Sequence, residues 1–406
     1  MRAFILRAAL SAVLVPAGAA AQSMLTESQA LARLSPDSPR VRAIRAPIDV
    51  ARADVLAAAR WPNPRVTYDR EAVAGVTENI TMVSQGLPIT GRRRFDISAA
   101  SALVDATTNR ADDQTRRARA DLRLVFADLR AAQIRERELV RAGDRLRDLA
   151  AILGKRESAG DAAGFDRLRA EREVLDIEAD QAVAIAERTR AQAALAGFFA
   201  DPADPSGIVV DESESPTPML PPLDTLVERA ETVRGELLAL RQEIEAARFS
   251  LRAAERRRVP EPEVVAGTKS STAAGGDIGS VVTIHASLPL FDRSRPERAL
   301  AVAREAQARA RAEAFRLVLR SQIAALRAMV IQRREVADRY RATAVNSADQ
   351  IERIAQVSYD AGERGILELL DAHRTVSSAR LRQTALDASV RQAEIELEFV
   401  SGWEMP

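Results

Sequence analysis

Chemistry in a protein of this size would need clustered nucleophiles, metal ligands or phosphate-binding loops, and the sequence offers few of them. It has no cysteine and only two histidines, His285 and His373, which lie far apart in the chain. Without thiols there is neither a disulfide framework nor a thiolate metal site. His373 stands two residues from Asp371, but one such pair leaves a bound cation short of ligands. His285 sits in a β-prone run, where a structural or pore-facing place suits it better than metal ligation. No nucleophile elbow, phosphate-binding loop or HExxH pair occurs in the sequence. The chain reads as a non-enzyme, with no catalytic, cofactor or metal site. Its function must then come from the elements that carry its acids and bases.

Those elements are organised around a stretch present twice. Val281 to Arg293 reads Val-Val-Thr-Ile-His-Ala-Ser-Leu-Pro-Leu-Phe-Asp-Arg, and Ile80 to Arg92 reads Ile-Thr-Met-Val-Ser-Gln-Gly-Leu-Pro-Ile-Thr-Gly-Arg. In both copies a β-prone run ends at Leu-Pro (Leu87-Pro88, Leu288-Pro289) and opens into a long Ala/Arg/Glu segment. Proline cannot donate to a ladder and fixes φ, so it marks the strand-to-helix junction. Two such junctions, about 200 residues apart, make the chain a tandem duplication.

Composition narrows the class. The 59 basic residues are balanced by 58 acidic ones for a formal charge of +1, which argues against a nucleic-acid binder. Lys155 and Lys269 are the only lysines, a skew that reads as base bias in the genome. Aromatics are 4% while Ala, Arg, Glu, Asp and Leu dominate, as in long heptad-patterned helices. Residues 1–21 read as a signal peptide: Arg2 and Arg7 flank the apolar run Phe4 to Val15, and Ala19-Ala20-Ala21 supplies the cleavage site before Gln22. That run is well short of the roughly 20 residues a membrane-spanning helix needs.

The first repeat spans 22–200. It begins with helix from about Met24 to Arg60, broken near Pro36, Pro39 and Pro47, and stopped by Trp61-Pro62-Asn63-Pro64. Strands at 65–74 and 78–88 follow, then a helix over 92–153 with a Leu139, Ala142, Leu146, Leu149, Leu153 seam, a turn, and an antiparallel helix at 165–199. At 1.5 Å per residue the long helix would measure on the order of 90 Å. A proline-rich linker at 201–222 offers one short strand around Ile208-Val209-Val210. The second repeat, 223–402, restarts with helix from Leu223 to Arg258. Val259-Pro260-Glu261-Pro262 then leads to strands at 263–271 and 278–288, a helix over 295–359 and a last helix at 366–401. In the second long helix Leu319, Gln322, Leu326, Met329, Arg333, Val336 and Tyr340 keep the three-four spacing.

Each strand is long enough to cross an outer membrane at a tilt. A bilayer tolerates no unpaired sheet edge, so spanning strands must close into a barrel. Four strands per chain cannot close; two chains would give about eight and three about twelve. The competing reading, from a different class, is a soluble periplasmic coiled-coil scaffold carrying two hairpins, kept open by Asp69, Arg70, Glu71 and Lys269 in the strands.

The duplication, the two strand-Leu-Pro-helix junctions and the motif Tyr359-Asp360-Ala361-Gly362-Glu363-Arg364-Gly365-Ile366-Leu367-Glu368-Leu369-Leu370-Asp371-Ala372 resemble the TolC-like outer-membrane factors over the whole mature chain. The resemblance implies a mainly α fold with membrane β: a homotrimer whose twelve-stranded outer-membrane barrel continues into a twelve-helix periplasmic coiled-coil tunnel, with linkers such as 201–222 in an equatorial belt. It implies a passive exit duct in the outer membrane of a Gram-negative bacterium, bounded by outer-membrane lipid. A periplasmic adaptor and an inner-membrane pump of RND type would serve it. Type I protein secretion is the alternative within the same fold. Trp61-Pro62-Asn63-Pro64, followed by Asp69 and Glu71, resembles the branch that exports heavy-metal cations.

For particular residues the resemblance implies a closed tip held by Asp166, Tyr359 and Arg364, and acidic aperture rings of Glu368 and Asp371. The tip turns at Gly160, Gly362 and Gly365 would receive the adaptor. Phe165 departs from the family pattern, since a hydroxyl residue can stand there beside the acid.

Overall fold

The computed structural model describes residues 24–159, 164–200, 204–213 and 219–404. The expected signal peptide and Gly160 lie outside them. Each repeat is a helix pair, a β-hairpin and a long helical hairpin. The first holds α1 (Glu27–Arg33), α2 (Pro39–Ala59), β1 (Arg65–Val73), β2 (Val76–Gly86), α3 (Arg92–Ser158) and α4 (Gly164–Ala196). The second holds α5 (Leu223–Val233), α6 (Gly235–Arg256), β3 (Pro262–Ser271), β4 (Asp277–Ala286), α7 (Arg295–Tyr340), a π-helical turn Arg341–Val345, α8 (Asn346–Asp360) and α9 (Ile366–Ser401).

Local chemistry accounts for most boundaries. Thr26 and Gln29 form a reciprocal capping box at the start of α1, and Ser38 caps α2 with Pro39 in the first turn. Trp61-Pro62-Asn63-Pro64 ends α2 as expected, but Pro47 does not break it. The proline lies on the exposed side of the helix, where water can satisfy the Ala43 carbonyl that loses its ladder donor. Strands β2 and β4 stop at Gly86 and Ala286, so Leu87-Pro88 and Leu288-Pro289 lie just outside the sheet, in the connectors. Helix α3 runs five residues beyond the expected 153, to Ser158.

Three further expectations change. The helix expected from Leu223 to Arg258 divides at Arg234, whose backbone is extended (φ −69°, ψ 114°). Arg234 is buried and forks onto Asp113 of α3, Nε to Oδ1 at 3.2 Å and Nη2 to Oδ2 at 3.1 Å, while stacking 4.8 Å from the Phe399 ring. The next residue, Gly235, packs so closely that a Cβ would overlap the Asn109 carbonyl. The break therefore follows from docking α6 on the α3 backbone.

The expected helix 295–359 is continuous in direction but carries the π turn, which opens the i→i−4 ladder by one residue. The expected α7 seam is also displaced. The residues buried within the chain are Leu319, Ile323, Val330 and Ala337, whereas Gln322, Met329 and Val336 face outward. The seam on α3 holds at its leucines: Leu139, Leu146, Leu149 and Leu153 are buried, while Ala142 is half-buried. Gly143 beside it makes room for Gln181 of α4, whose amide donates to the Leu139 carbonyl at 2.9 Å.

The two repeats have matching cores. Leu25, Leu122, Phe126, Leu129, Leu195 and Val210 close the first; Leu226, Leu237, Leu319, Ile323, Leu397 and Val400 close the second. Ile208-Val209-Val210 supplies a single parallel bridge from Val210 to Leu25. At the far end of the long helices, Leu146, Leu149 and Leu153 of α3 pack against Ile366, Leu369 and Leu370 of α9.

The four strands form one antiparallel sheet in the order β1-β2-β3-β4, so the pairing of β2 with β3 joins the repeats. In this arrangement all four connections to helices leave from the same end of the sheet.

Candidate functional site

Register decides what each face of the sheet can meet. Directly paired residues share a face, and alternate residues along a strand take opposite ones. Val66, Val83, Ala266 and Val282 fall in one row, and Ala286, Ile284 and Val264 extend that face. Its only charge is Arg70, beside Asn79, Ser270 and Ile278. The opposite face carries Arg65, Asp69, Glu71, Glu78, Glu263, Lys269, Asp277 and His285. Lys269 reaches Glu78 at 2.6 Å across the repeat boundary. With Thr77, Thr81, Gln85, Thr268 and Ser280 also on it, the first face is nearly free of charge while the second carries eight titratable side chains, an alternation compatible with a membrane barrel wall. Strands of 9, 11, 10 and 10 residues have the length to span. Within the chain β1 and β4 each leave one edge unpaired. No described helix is long and apolar enough to cross a membrane.

At the opposite end lies the tip. Gly362 turns the chain at φ +73°, where its amide donates to the Tyr359 carbonyl at 3.0 Å, and Gly365 caps the start of α9 with an extended backbone. The motif from Tyr359 to Ala372 then divides by helical phase. Ile366, Leu369, Leu370 and Ala372 are buried against α3 and its neighbours. Glu368 and Asp371 are exposed one helical step apart, facing away from that core. The first-turn position of Glu368 is favourable for a carboxylate near a helix N-terminus.

The residues expected to hold the tip are not all brought together. Tyr359 is engaged: its hydroxyl accepts from Arg156 Nη1 at 3.1 Å, with the same guanidinium 5.2 Å from the ring centroid. Arg364 is exposed, and Asp166 is half-buried in the first turn of α4. No hydrogen bond or ion pair joins these two among the described residues of one chain. The neighbouring Arg167 closes the first hairpin instead, reaching Glu157 at 2.5 Å and Glu171 at 2.7 Å. Phe165 is exposed.

The histidines are accounted for separately. His373 Nδ1 lies 3.0 Å from Glu352, which also holds Arg145 at 2.6 Å. Asp371 points elsewhere and is not part of this contact. His285 is exposed on the charged sheet face opposite Glu263. No group of three or more His, Asp or Glu side chains that could hold a metal occurs among the described residues.

Interactions between the repeats went unseen in the sequence. Arg374 of α9 forks onto Glu173 of α4, Nε to Oε2 at 2.7 Å with Nη2 on the other oxygen. Arg380 of α9 reaches Glu138 of α3 at 3.7 Å. Nearer the sheet, Arg123 of α3 bridges Glu27 of α1 and Glu398 of α9, and Arg391 also holds Glu27 at 2.9 Å. Burial pushes the Glu398 carboxyl up despite Arg123. Burial acts the same way on Glu27, but Arg391 and Arg123 outweigh it and hold that carboxyl down. Among so many Arg and Glu residues, no spacing rule could have singled out these partners.

Residues 226–402 match the family model described as outer membrane efflux protein. The cobalt-zinc-cadmium resistance protein CzcC of Cupriavidus metallidurans is 24% identical over 384 residues, covering 93% of this chain and 90% of the relative. A membrane protein from Pseudomonas aeruginosa has a similar structure, with a TM-score of 0.76 at 19% identity and 93% of each chain covered. The outer membrane protein VceC of Vibrio cholerae gives 0.72 at 15% identity, covering 93% of this chain and 96% of that one. The fold is thus that of these solved membrane proteins, and the second repeat is the part of the chain that matches the outer membrane efflux protein model.

Proposed function

We propose that the protein is the outer-membrane exit duct of a tripartite efflux assembly and that it works as a homotrimer. The observation that carries this is the sheet, nearly free of charge on one face and charged on the other, with unpaired edges on β1 and β4. Edges of that kind cannot stand in hydrocarbon, and three copies close about twelve strands around a lumen wide enough to conduct. The long hairpins α3–α4 and α7–α9 carry the conduit into the periplasm. An adaptor docks on the tip turns, and an inner-membrane pump of RND type delivers the cargo. The duct itself is passive.

The cargo class this reading favours is metal cations. Its support is the likeness to the cobalt-zinc-cadmium resistance protein and the acidic balance of the charged sheet face. There Asp69, Glu71, Glu78, Glu263 and Asp277 stand against Arg65 and Lys269. Glu368 and Asp371 continue that character at the tip.

The test is direct. Detergent-extracted protein should have the mass of a trimer and should conduct in planar bilayers with a preference for cations. A stable, water-soluble monomer would end the duct reading, and anion preference would end the cation reading alone.

A further inference from the structure

The end of the sheet from which the four connectors leave has a chemistry of its own. Residues 60–64, 87–94, 257–261 and 287–295 are the four crossings between helix and strand. They hold eight arginines and two acids, Glu261 and Asp292, in a chain whose formal net charge is only +1. Some of these arginines are engaged: Arg92 lies 3.4 Å from Glu261, Arg257 lies 2.8 Å from Glu297, and Arg93 donates to the Ala59 carbonyl at 2.8 Å while facing the Trp61 ring. Arg60, Arg94, Arg258, Arg293 and Arg295 are exposed, and none of them has an ion pair or side-chain hydrogen bond among the described residues.

Helix stability does not explain them. Arg92, Arg93 and Arg94 fill the first turn of α3, which contains no acid, and Arg295 opens α7; cations there oppose the helix dipole. Beside them the connectors expose large apolar side chains. Ile89, Leu288 and Leu290 are exposed, and Phe291 is 99% so. Exposed aliphatic and aromatic groups next to unpaired arginines, at the end of strands of membrane-spanning length, suit a headgroup boundary. There the apolar groups enter the acyl region and the guanidiniums meet phosphate.

We propose that this ring of connectors is a docking surface for anionic phospholipid of the periplasmic leaflet, which fixes the depth and tilt of the barrel. The inference rests on reading the sheet as a membrane wall. Arg94, Arg293 and Arg295 hold the headgroups and Phe291 anchors among the chains. A free anion could satisfy the arginines but not the apolar groups, so membrane lipid is the occupant.

The experiment uses the full-length assembly in mild detergent, exposed to phosphatidylglycerol or to phosphatidylcholine, with bound lipid counted by native mass spectrometry. The wild-type chain should retain phosphatidylglycerol at least ten-fold over phosphatidylcholine. Each of Arg94→Gln, Arg293→Gln and Arg295→Gln should weaken that retention about five-fold, and the corresponding lysine variants should keep most of it. Phe291→Ser should weaken retention of both lipids. Equal retention of the two lipids by the wild type, or unchanged retention in the triple glutamine variant, would overturn the proposal. So would inorganic phosphate raising the melting temperature as much as phosphatidylglycerol does. Conductance is recorded in parallel. A chain that shows the lipid preference but does not conduct sinks the duct and leaves the lipid surface standing.

Discussion

Arg374 holds Glu173 through a two-pronged contact that ties helix α9 of the second repeat to α4 of the first, with Nε 2.7 Å from Oε2. The two partners differ in setting. The Glu173 side chain is 10% exposed and the Arg374 side chain 55%. Removing the arginine strands a buried carboxylate, whereas removing the glutamate leaves a cation that can turn to water. Arg374→Ala should therefore lower the melting temperature more than Glu173→Ala, and single-channel current should become noisier as the tip loosens. Equal losses from both variants in thermal unfolding would show that the pair contributes only its mutual attraction.

The family resemblance supplies a second clamp, Arg364 with Asp166, which one chain does not form by itself. If neighbouring copies complete it, Arg364→Ser or Asp166→Ala should raise single-channel conductance while trimer yield stays normal. The double variant should add little to either single one. An exposed pair of this kind contributes about 0–1 kcal/mol, so in the proposed trimer the effect would need three copies acting together. Fully additive conductance changes would assign these residues to adaptor docking instead.

The exposed acids at the tip make a prediction about selectivity. In the proposed trimer, three copies each of Glu368 and Asp371 would ring an aperture at the tip. Glu368→Ala with Asp371→Ala should shift the reversal potential toward lower cation preference and weaken block by multivalent cations. Unchanged reversal potentials would make them ordinary solvated residues on a helix face.

Close approach of backbones is testable at Gly235. A Cβ there would overlap the Asn109 carbonyl and the Asp113 side chain. Gly235→Ala should destabilise the chain by about 1–3 kcal/mol in urea unfolding followed by circular dichroism. Gly279→Ala, where a Cβ meets open space, is the control and should cost far less.

The Glu27 cluster makes a prediction about pH. Its arginine partners hold Glu27 below its ordinary value of 4.5 despite burial. A carboxyl depressed by folding contributes stability that is present above its unfolded value and is lost as pH falls through the folded one. Glu398 has the opposite sign, because its raised value makes its contribution disappear as pH rises through it. Melting temperature against pH should therefore fall less steeply below about 4.5 in Glu27→Gln than in the wild type. Parallel curves would mean that Glu27 is not the ionised partner of Arg391 and Arg123.

Much of this molecule was legible in its sequence because the signals were local. Leu-Pro after a β-prone run, Gly362 in a turn and the Leu139-to-Leu153 spacing each report their own neighbourhood, and the structure follows them. The break at Arg234 was marked only by Gly235, which a helix can also carry in its interior, and its cause is Asp113, in the other repeat. The α7 seam was displaced for a related reason. A helix with apolar residues on two sides can bury either one, and Met329 and Val336 keep the spacing of a seam while facing away from their own chain. Phase was readable and partner was not. The same holds for Arg374 and Glu173, two ordinary members of a large population of arginines and glutamates.

The ladder between β2 and β3 also sets the order in which the molecule can form. Its pairs join Glu78 to Ser271 and Gly86 to Glu263, so most of the chain must be present before the central ladder can close. Loop closure over such a distance is slow, and contacts of this separation delay folding more than they alter stability. The helical hairpins, built from neighbouring residues, have no such wait. During that interval the first hairpin has both of its edges open, and open edges invite pairing with other chains. A newly made chain therefore passes through a stage with finished helices and an unfinished sheet.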